Sequence, residues 1–292
     1  MNHAPNNCQG SSLLIEVRQD LPLLVFGGPY SNLAATLAIR EKAVELKIPN
    51  SNVICTGDIV AYCASPRECT DLIHDWGIHV VQGNCEDALG NDKFDCGCGF
   101  EENSSCDLAS KQWYEYSKAR IGEDQKVWMA DLPNNLKINY HGKTIIVIHG
   151  GVNQQSQFIF RSSSTTDKLQ QLKQTDSDII ISGHCGLPFG ELIEDKAWLN
   201  AGVIGMPAND ATADVWYMLI TPNAEGLEVS WHRLSYDFKN TQALMQSAGL
   251  NQGYINALGN GLWPSLDVLP ETEIKKTGEK LSIATELISN KP

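Results

Sequence analysis

The chain has 292 residues, of which 22 are lysine or arginine and 35 are aspartate or glutamate, so its formal charge is −13 at pH 7. An acidic surface repels phosphate backbones and disfavours nucleic acid as a partner. No apolar run approaches the roughly 20 residues of a membrane span. The polar N-terminus lacks a signal-peptide pattern, so we expect a cytoplasmic protein that does not bind membranes.

Apolar runs alternate with helical patterns through the first two-thirds of the chain. The run at residues 21–26 predicts a buried strand, and the periodic apolar residues that follow predict a helix over 32–46, with Ser31 or Asn32 as the candidate cap. The alternation continues with a strand, a short helix from Pro66 to Gly77, and a third strand. This order of elements is typical of βαβ units.

A loop rich in cysteine and glycine is predicted over residues 85–106, and two helices follow it. The apolar pattern around His141-Gly142 predicts a hairpin. Later segments look like strands joined by tight turns, up to residue 237, and we assign 238–292 to a C-terminal helix and a mobile tail. The combination of βαβ units with a later antiparallel region implies two packed sheets with outer helices.

Four predicted strands are each followed by a glycine beside a polar residue. The polar residues are Asp58, Asn84, His149 and His184. Ligands bind at the carboxyl ends of strands in open α/β sheets, and glycine allows the sharp turns that such loops need. A carboxylate, an amide oxygen and two imidazoles are suitable ligands for a divalent ion such as Zn, Fe or Mn.

The order of these motifs resembles the calcineurin-like metallophosphoesterase superfamily, from about Leu23 to Tyr236. Members of that family read Asp-x-His, Gly-Asp, Gly-Asn-His, His-Gly and Gly-His-x-His, where this chain reads GGPYSNL, TGDIVAY, GNCED, IHGG and GHCG. The resemblance implies an α/β fold, a four-layer sandwich of two mixed β-sheets flanked by helices. It places the phosphoesterase domain at residues 20–237, with residues 85–106 as an insertion. The implied activity is hydrolysis of phosphate mono- or diesters by a metal-bound hydroxide.

The resemblance also implies which residues hold metal. Asp58 matches the carboxylate that bridges two metals in the family, and Asn84, His149 and His184 match the other ligands of the second metal. That ligand set is complete. We therefore expect one divalent ion per chain at the family site.

The ligands of the family's first metal are replaced in this chain. Gly28, Tyr30 and Gly186 stand at three of its positions, and Cys85 stands where the family has a histidine near the leaving group. Tyr30 either donates its phenol to a phosphate oxygen or fills the space of the lost metal. Cys85 and Tyr30 are the candidate catalytic residues, although a thiol replaces an imidazole acid poorly.

Five of the nine cysteines lie in the regions that depart from the family pattern: Cys85, Cys96, Cys98, Cys106 and Cys185. Together they offer ligands for an additional zinc ion or an iron–sulfur cluster. A redox pair is a second interpretation, and ordinary free or buried thiols are a third. The spacing of the cysteines does not decide among these.

Three functions remain open from the sequence. The first is a divergent phosphoesterase with one intact metal site, in which Arg161 is a candidate clamp for the substrate phosphate. The second is a repurposed iron or zinc enzyme that uses cysteines near the old cleft, and the third is a catalytically inactive binding protein. In each case we expect a small phosphate-containing or other small-molecule ligand. The sequence does not define the oligomeric state.

Overall fold

The computed structural model of the chain describes residues 12–99 and 104–289. Helices and strands alternate in its first half, and strands dominate the middle of its second half. The strands are β1 (Leu13–Ile15), β2 (Leu23–Phe26), β3 (Val53–Cys55), β4 (His79–Val80), β5 (Asn135–Tyr140), β6 (Lys143–Ile148), β7 (Ile179–Ser182), β8 (Phe189–Ile193), β9 (Lys196–Asn200), β10 (Val215–Pro222), β11 (Gly226–Leu234) and β12 (Glu286–Ser289). The helices are α1 (Leu33–Glu45), α2 (Pro66–Trp76), α3 (Asn84–Gly90), α4 (Ser105–Lys118), α5 (Glu123–Asp131), α6 (Thr165–Gln174), α7 (Phe238–Ser247), α8 (Gln252–Asn260) and α9 (Glu271–Ile274).

The strands form two mixed sheets of six strands each. One sheet has the order β1-β5-β6-β7-β9-β8, and the other has the order β12-β11-β10-β2-β3-β4. Each sheet contains parallel pairs, β6 with β7 in the first and β2 with β3 and β3 with β4 in the second. The polar loops begin at the carboxyl ends of strands in these pairs.

The apolar side chains of the strands separate into layers. Along β2, Leu24 and Phe26 pack against the helices that cover one face of their sheet, whereas Leu23 and Val25 pack against the other sheet. Successive residues of a strand point to opposite faces, so a strand buried on both faces is apolar throughout. The outer face of the first sheet packs on Leu172 of α6. The result is the four-layer sandwich, as predicted.

Several local signals in the sequence are confirmed. The Asn32 side chain caps α1 by accepting a hydrogen bond from the Ala35 amide. Helix α2 begins at Pro66 and is followed by Gly77 in a left-handed conformation. The hairpin of β5 and β6 turns at His141 and Gly142, where both residues have positive φ.

The structure differs from the sequence prediction in two places. The segment predicted as a loop from Cys85 begins as a helix, because α3 starts at Asn84 directly after β4. The predicted mobile tail contains α9 and β12, and Leu287 and Ile288 of β12 pair antiparallel with β11. The short apolar pair in β12 is too brief to reveal a strand by its pattern alone. Within the described ranges, no helix is long and apolar enough to cross a membrane.

Candidate metal centre

Four loops from the two sheets meet at one edge of the sandwich. Asp58 follows β3 and Asn84 follows β4 in one sheet, while His149 follows β6 and His184 follows β7 in the other. Asp58 and His184 have left-handed backbones, with φ of 58° and 57°. Such a conformation is uncommon for residues other than glycine, and here it turns two polar side chains inward at the strand ends.

The four side chains converge around the Nε2 atom of His149. This nitrogen lies 3.0 Å from Asn84 Oδ1, 3.0 Å from His184 Nδ1 and 3.3 Å from Asp58 Oδ2. Ligand atoms on a tetrahedral zinc ion with the usual bond lengths are about 3.3 Å apart. Asp58, His149 and His184 are all buried, and their ligand atoms lie within 4.8 Å of one another.

The chemistry of this donor set fits a cation. The Nδ1 atom of His149 lies 2.7 Å from the Thr56 carbonyl oxygen and donates its proton there, so Nε2 faces the oxygens of Asn84 and Asp58. Acceptors that face one another in a buried site need a positive charge between them. The second proton of a histidinium or a divalent metal ion meets this need.

The protonation states of Asp58 and His184 favour metal binding, whereas that of His149 favours a proton in the same place. Burial alone would lower the pKa of His149, but the Asp58 carboxylate outweighs it and the pKa is raised. Burial would raise the pKa of Asp58, but His149 and His184 lower it to about 2, so the carboxylate is ionised. Burial and then His149 lower the pKa of His184 to about 3, which leaves that imidazole neutral, the form that binds metals.

Glu86 is hydrogen-bonded to the backbone of the loops that carry Asp58 and Asn84, and it was not singled out from the sequence. Its buried carboxylate accepts hydrogen bonds from the backbone amides of Asp58 (2.7 Å), Ile59 (2.7 Å) and Gly83 (2.9 Å). Burial, and then the nearby Asp58, raise the pKa of Glu86 to about 7. The motif GNCED places Glu86 two residues after Asn84, in the first turn of α3. One side chain thus fixes the loops that carry Asp58 and Asn84.

The neighbouring half of the cleft contains aromatic rings where the resemblance implies a first metal. Gly28 has φ of 41°, and a Cβ atom there would lie 2.6 Å from the Tyr30 ring. Gly186 has φ of 74°, and a Cβ atom there would lie 3.3 Å from the Trp263 indole. The two glycines therefore accommodate two rings. The sequence contains no signal that brings Trp263 to this site.

A cavity of about 70 Å³ opens beside the four convergent side chains. Asp58, His184 and Tyr30 line it. Further aromatic and aliphatic side chains also line the cavity, together with Cys98, Cys106, Cys185 and Gly186. Burial and then the Asp58 carboxylate raise the pKa of Tyr30, so its phenol keeps its proton and can donate a hydrogen bond.

The cysteines of the loop lie close to Asn84. Cys96 and Cys98 are joined in a disulfide, and in this state their sulfurs are not thiolate ligands. The Asn84 amide nitrogen donates to the Cys96 carbonyl oxygen at 2.9 Å and lies 3.5 Å from Cys98 Sγ. These contacts direct the amide oxygen of Asn84 toward His149.

Cys85 is a neighbour of Asp58 but does not line the cavity. Its backbone amide is 3.3 Å from Asp58 Oδ1, and burial raises the pKa of its thiol well above the usual range.

For residues 12–99 and 104–289, one group of three His, Cys, Asp or Glu has ligand atoms close enough to share a metal, and it consists of Asp58, His149 and His184. The structure therefore brings no cysteine cluster together as a second metal site in those ranges.

The structure does not bring Arg161 to the cavity. Its guanidinium lies 3.0 Å from the Glu191 carboxylate, which also accepts a hydrogen bond from the buried Lys168 at 2.6 Å. Arg161 lines a different cavity, with Glu273 and Lys276. This ion-pair network attaches the loop before α6 to β8, and it accounts for the position of Arg161 without a substrate.

Comparisons with known proteins agree with this geometry. A family model described as "Calcineurin-like phosphoesterase superfamily domain" matches residues 31–224. A protein of Methanocaldococcus jannaschii described as uncharacterised is 26% identical over 233 residues, which covers 74% of this chain and 88% of that protein.

Two solved structures share the fold. A hypothetical protein from Pyrococcus horikoshii has a TM-score of 0.69 and 20% identity, and the match covers 83% of this chain and 99% of that one. A metallophosphoesterase from Sphaerobacter thermophilus has a TM-score of 0.65 and 21% identity, with the same coverage. At these identities the structural similarity shows the common fold.

Proposed function

The chain belongs to the calcineurin-like phosphoesterase superfamily, and we propose that it is a metal-dependent hydrolase of a small phosphate ester that uses one divalent ion. The ligands in this proposal are Asp58, Asn84, His149 and His184. The observation that carries it is the convergence of their ligand atoms on His149 Nε2, at 3.0–3.3 Å. Manganese, zinc and iron all suit this mixture of nitrogen and oxygen ligands.

A divalent ion at this position would polarise a phosphate oxygen and lower the pKa of a coordinated water. The residues of the chain supply orientation and proton donation. The Thr56 carbonyl fixes the ring of His149, a type of contact that commonly tunes metal ligands. Tyr30 keeps its proton and lines the cavity, so it is the candidate donor to a phosphate oxygen.

We assign Cys85 a supporting role in this proposal. Its thiol is buried and protonated, while its backbone amide contacts the Asp58 carboxylate. A residue behind a ligand can orient that ligand, but it has no direct path to a substrate in the cavity. Tyr30 is therefore the better candidate for contact with the reacting phosphate.

A second candidate function is a protein that binds metal and ligand without turnover. The observation that favours it is the pair of rings, Tyr30 and Trp263, at the positions the resemblance assigns to the first metal. A single cation clamps the attacking and leaving oxygens less effectively than two. Hydrolysis under saturating metal distinguishes the two candidates.

The experiment is to load the purified protein with Mn²⁺, Zn²⁺ or Fe²⁺ and to measure bound metal and hydrolysis of p-nitrophenyl phosphate and bis(p-nitrophenyl) phosphate. We expect bound metal and turnover in the wild type, with both lost in His149→Ala. The matched control is His141→Ala, because His141 lies in the turn between β5 and β6, at the opposite end of β6 from His149. Metal binding without hydrolysis of either ester would reject the hydrolase and favour the binding protein.

A further inference from the structure

Aromatic side chains dominate the cavity beside the candidate metal centre. Tyr30 and Tyr62 meet edge to face with ring centroids 4.8 Å apart, and Tyr62 and Tyr254 are 4.6 Å apart. The Phe158 ring, which also lines the cavity, lies 4.3 Å from the His184 ring. Aromatic rings arranged in this way offer faces and edges to a planar group.

Trp263 is held in place at this cavity. Its indole nitrogen donates to the Pro207 carbonyl oxygen at 2.7 Å, and its backbone amide donates to Asn209 Oδ1 at 2.9 Å. The ring lies against Gly186, which has no side chain to displace it. A ring fixed by its own hydrogen bonds loses little conformational freedom when a ligand stacks on it. Trp263 is therefore a preorganised contact surface.

The charges around the cavity select against a highly charged ligand. None of the described residues that line it is a lysine or an arginine, whereas the Asp58 carboxyl group does line it. One divalent cation together with Asp58 leaves a net charge of about +1, which suits a monoanion. A phosphate monoester carries close to two negative charges near neutral pH, while a diester carries one.

We propose that the cavity binds a phosphodiester monoanion through an aromatic ester group that contacts Trp263 and the tyrosine rings. This inference rests on the proposed function only in that the metal centre holds the phosphate. It names Trp263 as a specificity-determining residue. The preference concerns binding, so it holds for a hydrolase and for a binding protein alike.

The test is calorimetric titration of the metal-loaded protein with diphenyl phosphate, dimethyl phosphate and phenyl phosphate. The first two are monoanions with and without aromatic groups, and the third is an aromatic monoester. We expect diphenyl phosphate to bind at least about tenfold more tightly than either of the others. Equal binding of diphenyl and dimethyl phosphate, tighter binding of phenyl phosphate, or no binding of diphenyl phosphate would overturn the proposal.

Variants of Trp263 give a second readout. Trp263→Ala should weaken the binding of diphenyl phosphate about tenfold and leave dimethyl phosphate unchanged, while Trp263→Phe should retain most of the affinity. Trp128→Ala is the matched control, because Trp128 contacts His74 in a separate groove. An equal loss for both diesters in Trp263→Ala, with Trp263→Phe equally weak, would contradict the assignment. Absence of hydrolysis with selective binding of diphenyl phosphate rejects the hydrolase and supports this inference.

Discussion

The two halves of the cleft lie side by side on the same sheet edges and differ in chemistry. One half, which we call the polar half, contains Asp58, Asn84, His149 and His184 around a single point. The other, which we call the aromatic half, contains two rings, Tyr30 and Trp263, packed against two glycines. The fold thus supplies a rigid set of loops, and the side chains on those loops decide whether a position suits a cation or an apolar group.

The backbone is similar in both halves. Tyr30 has φ of 51° and Asp58 has φ of 58°, and the amide of Tyr30 donates to the Asp58 carbonyl oxygen at 3.1 Å. The strained turns therefore persist where the metal ligands are absent. Strain of this kind remains only when the surrounding structure enforces it. In the polar half, Glu86 helps to hold the turns in this conformation, because its carboxylate accepts hydrogen bonds from three of their backbone amides.

Glu86→Gln should have the largest effect on the polar half. The amide of glutamine has one oxygen to accept from three backbone amides, so at least one buried donor loses its partner. At pH 8 we expect the free energy of unfolding to fall by about 3 kcal/mol, the cost of a lost hydrogen bond to a charged group, measured by urea denaturation. The control is Asp87→Asn, because Asp87 makes a surface ion pair with Lys93, which contributes little. A loss for Glu86→Gln as small as that of the control would contradict its supporting role.

Gly28→Asp should disturb the aromatic half by a smaller amount. The new Cβ would overlap the Tyr30 ring, and a positive φ adds backbone strain, so we expect a loss of about 2–3 kcal/mol. In the Tyr30→His background the ring is smaller, and the loss should shrink by about 1 kcal/mol or more. A double-mutant cycle measures this coupling. Equal losses in the two backgrounds would show that the ring does not exclude the side chain.

Reduction of the Cys96–Cys98 disulfide should weaken the polar half slightly. The loop that carries these cysteines orients the Asn84 amide, and supporting contacts of this kind typically change metal affinity about tenfold. We expect the thiol-free reductant tris(2-carboxyethyl)phosphine to lower the zinc affinity of the wild type by that factor, measured by chelator competition. The Cys96→Ser/Cys98→Ser double variant should already be weak and should not respond to this reductant. An unchanged zinc affinity in the reduced wild type would show that the disulfide does not influence the metal centre.

The sequence predicts the fold and the polar half better than the aromatic half. Asp58, Asn84, His149 and His184 each follow an apolar run beside a glycine, so their strand-end positions are visible in the pattern. Trp263 comes from a loop after α8, far along the chain, and only tertiary packing brings it to Gly186. Likewise, Arg161 follows an apolar segment as a substrate clamp would, but Glu191 of β8 holds it elsewhere.

The number of metal ions per chain tests the central difference between the two halves most directly. The purified protein is saturated with Zn²⁺ or Mn²⁺, freed of excess metal by gel filtration and analysed by elemental mass spectrometry. The account predicts one metal ion per chain in the wild type and none in His149→Ala. Two ions per chain in the wild type, or one ion retained by His149→Ala, would contradict it.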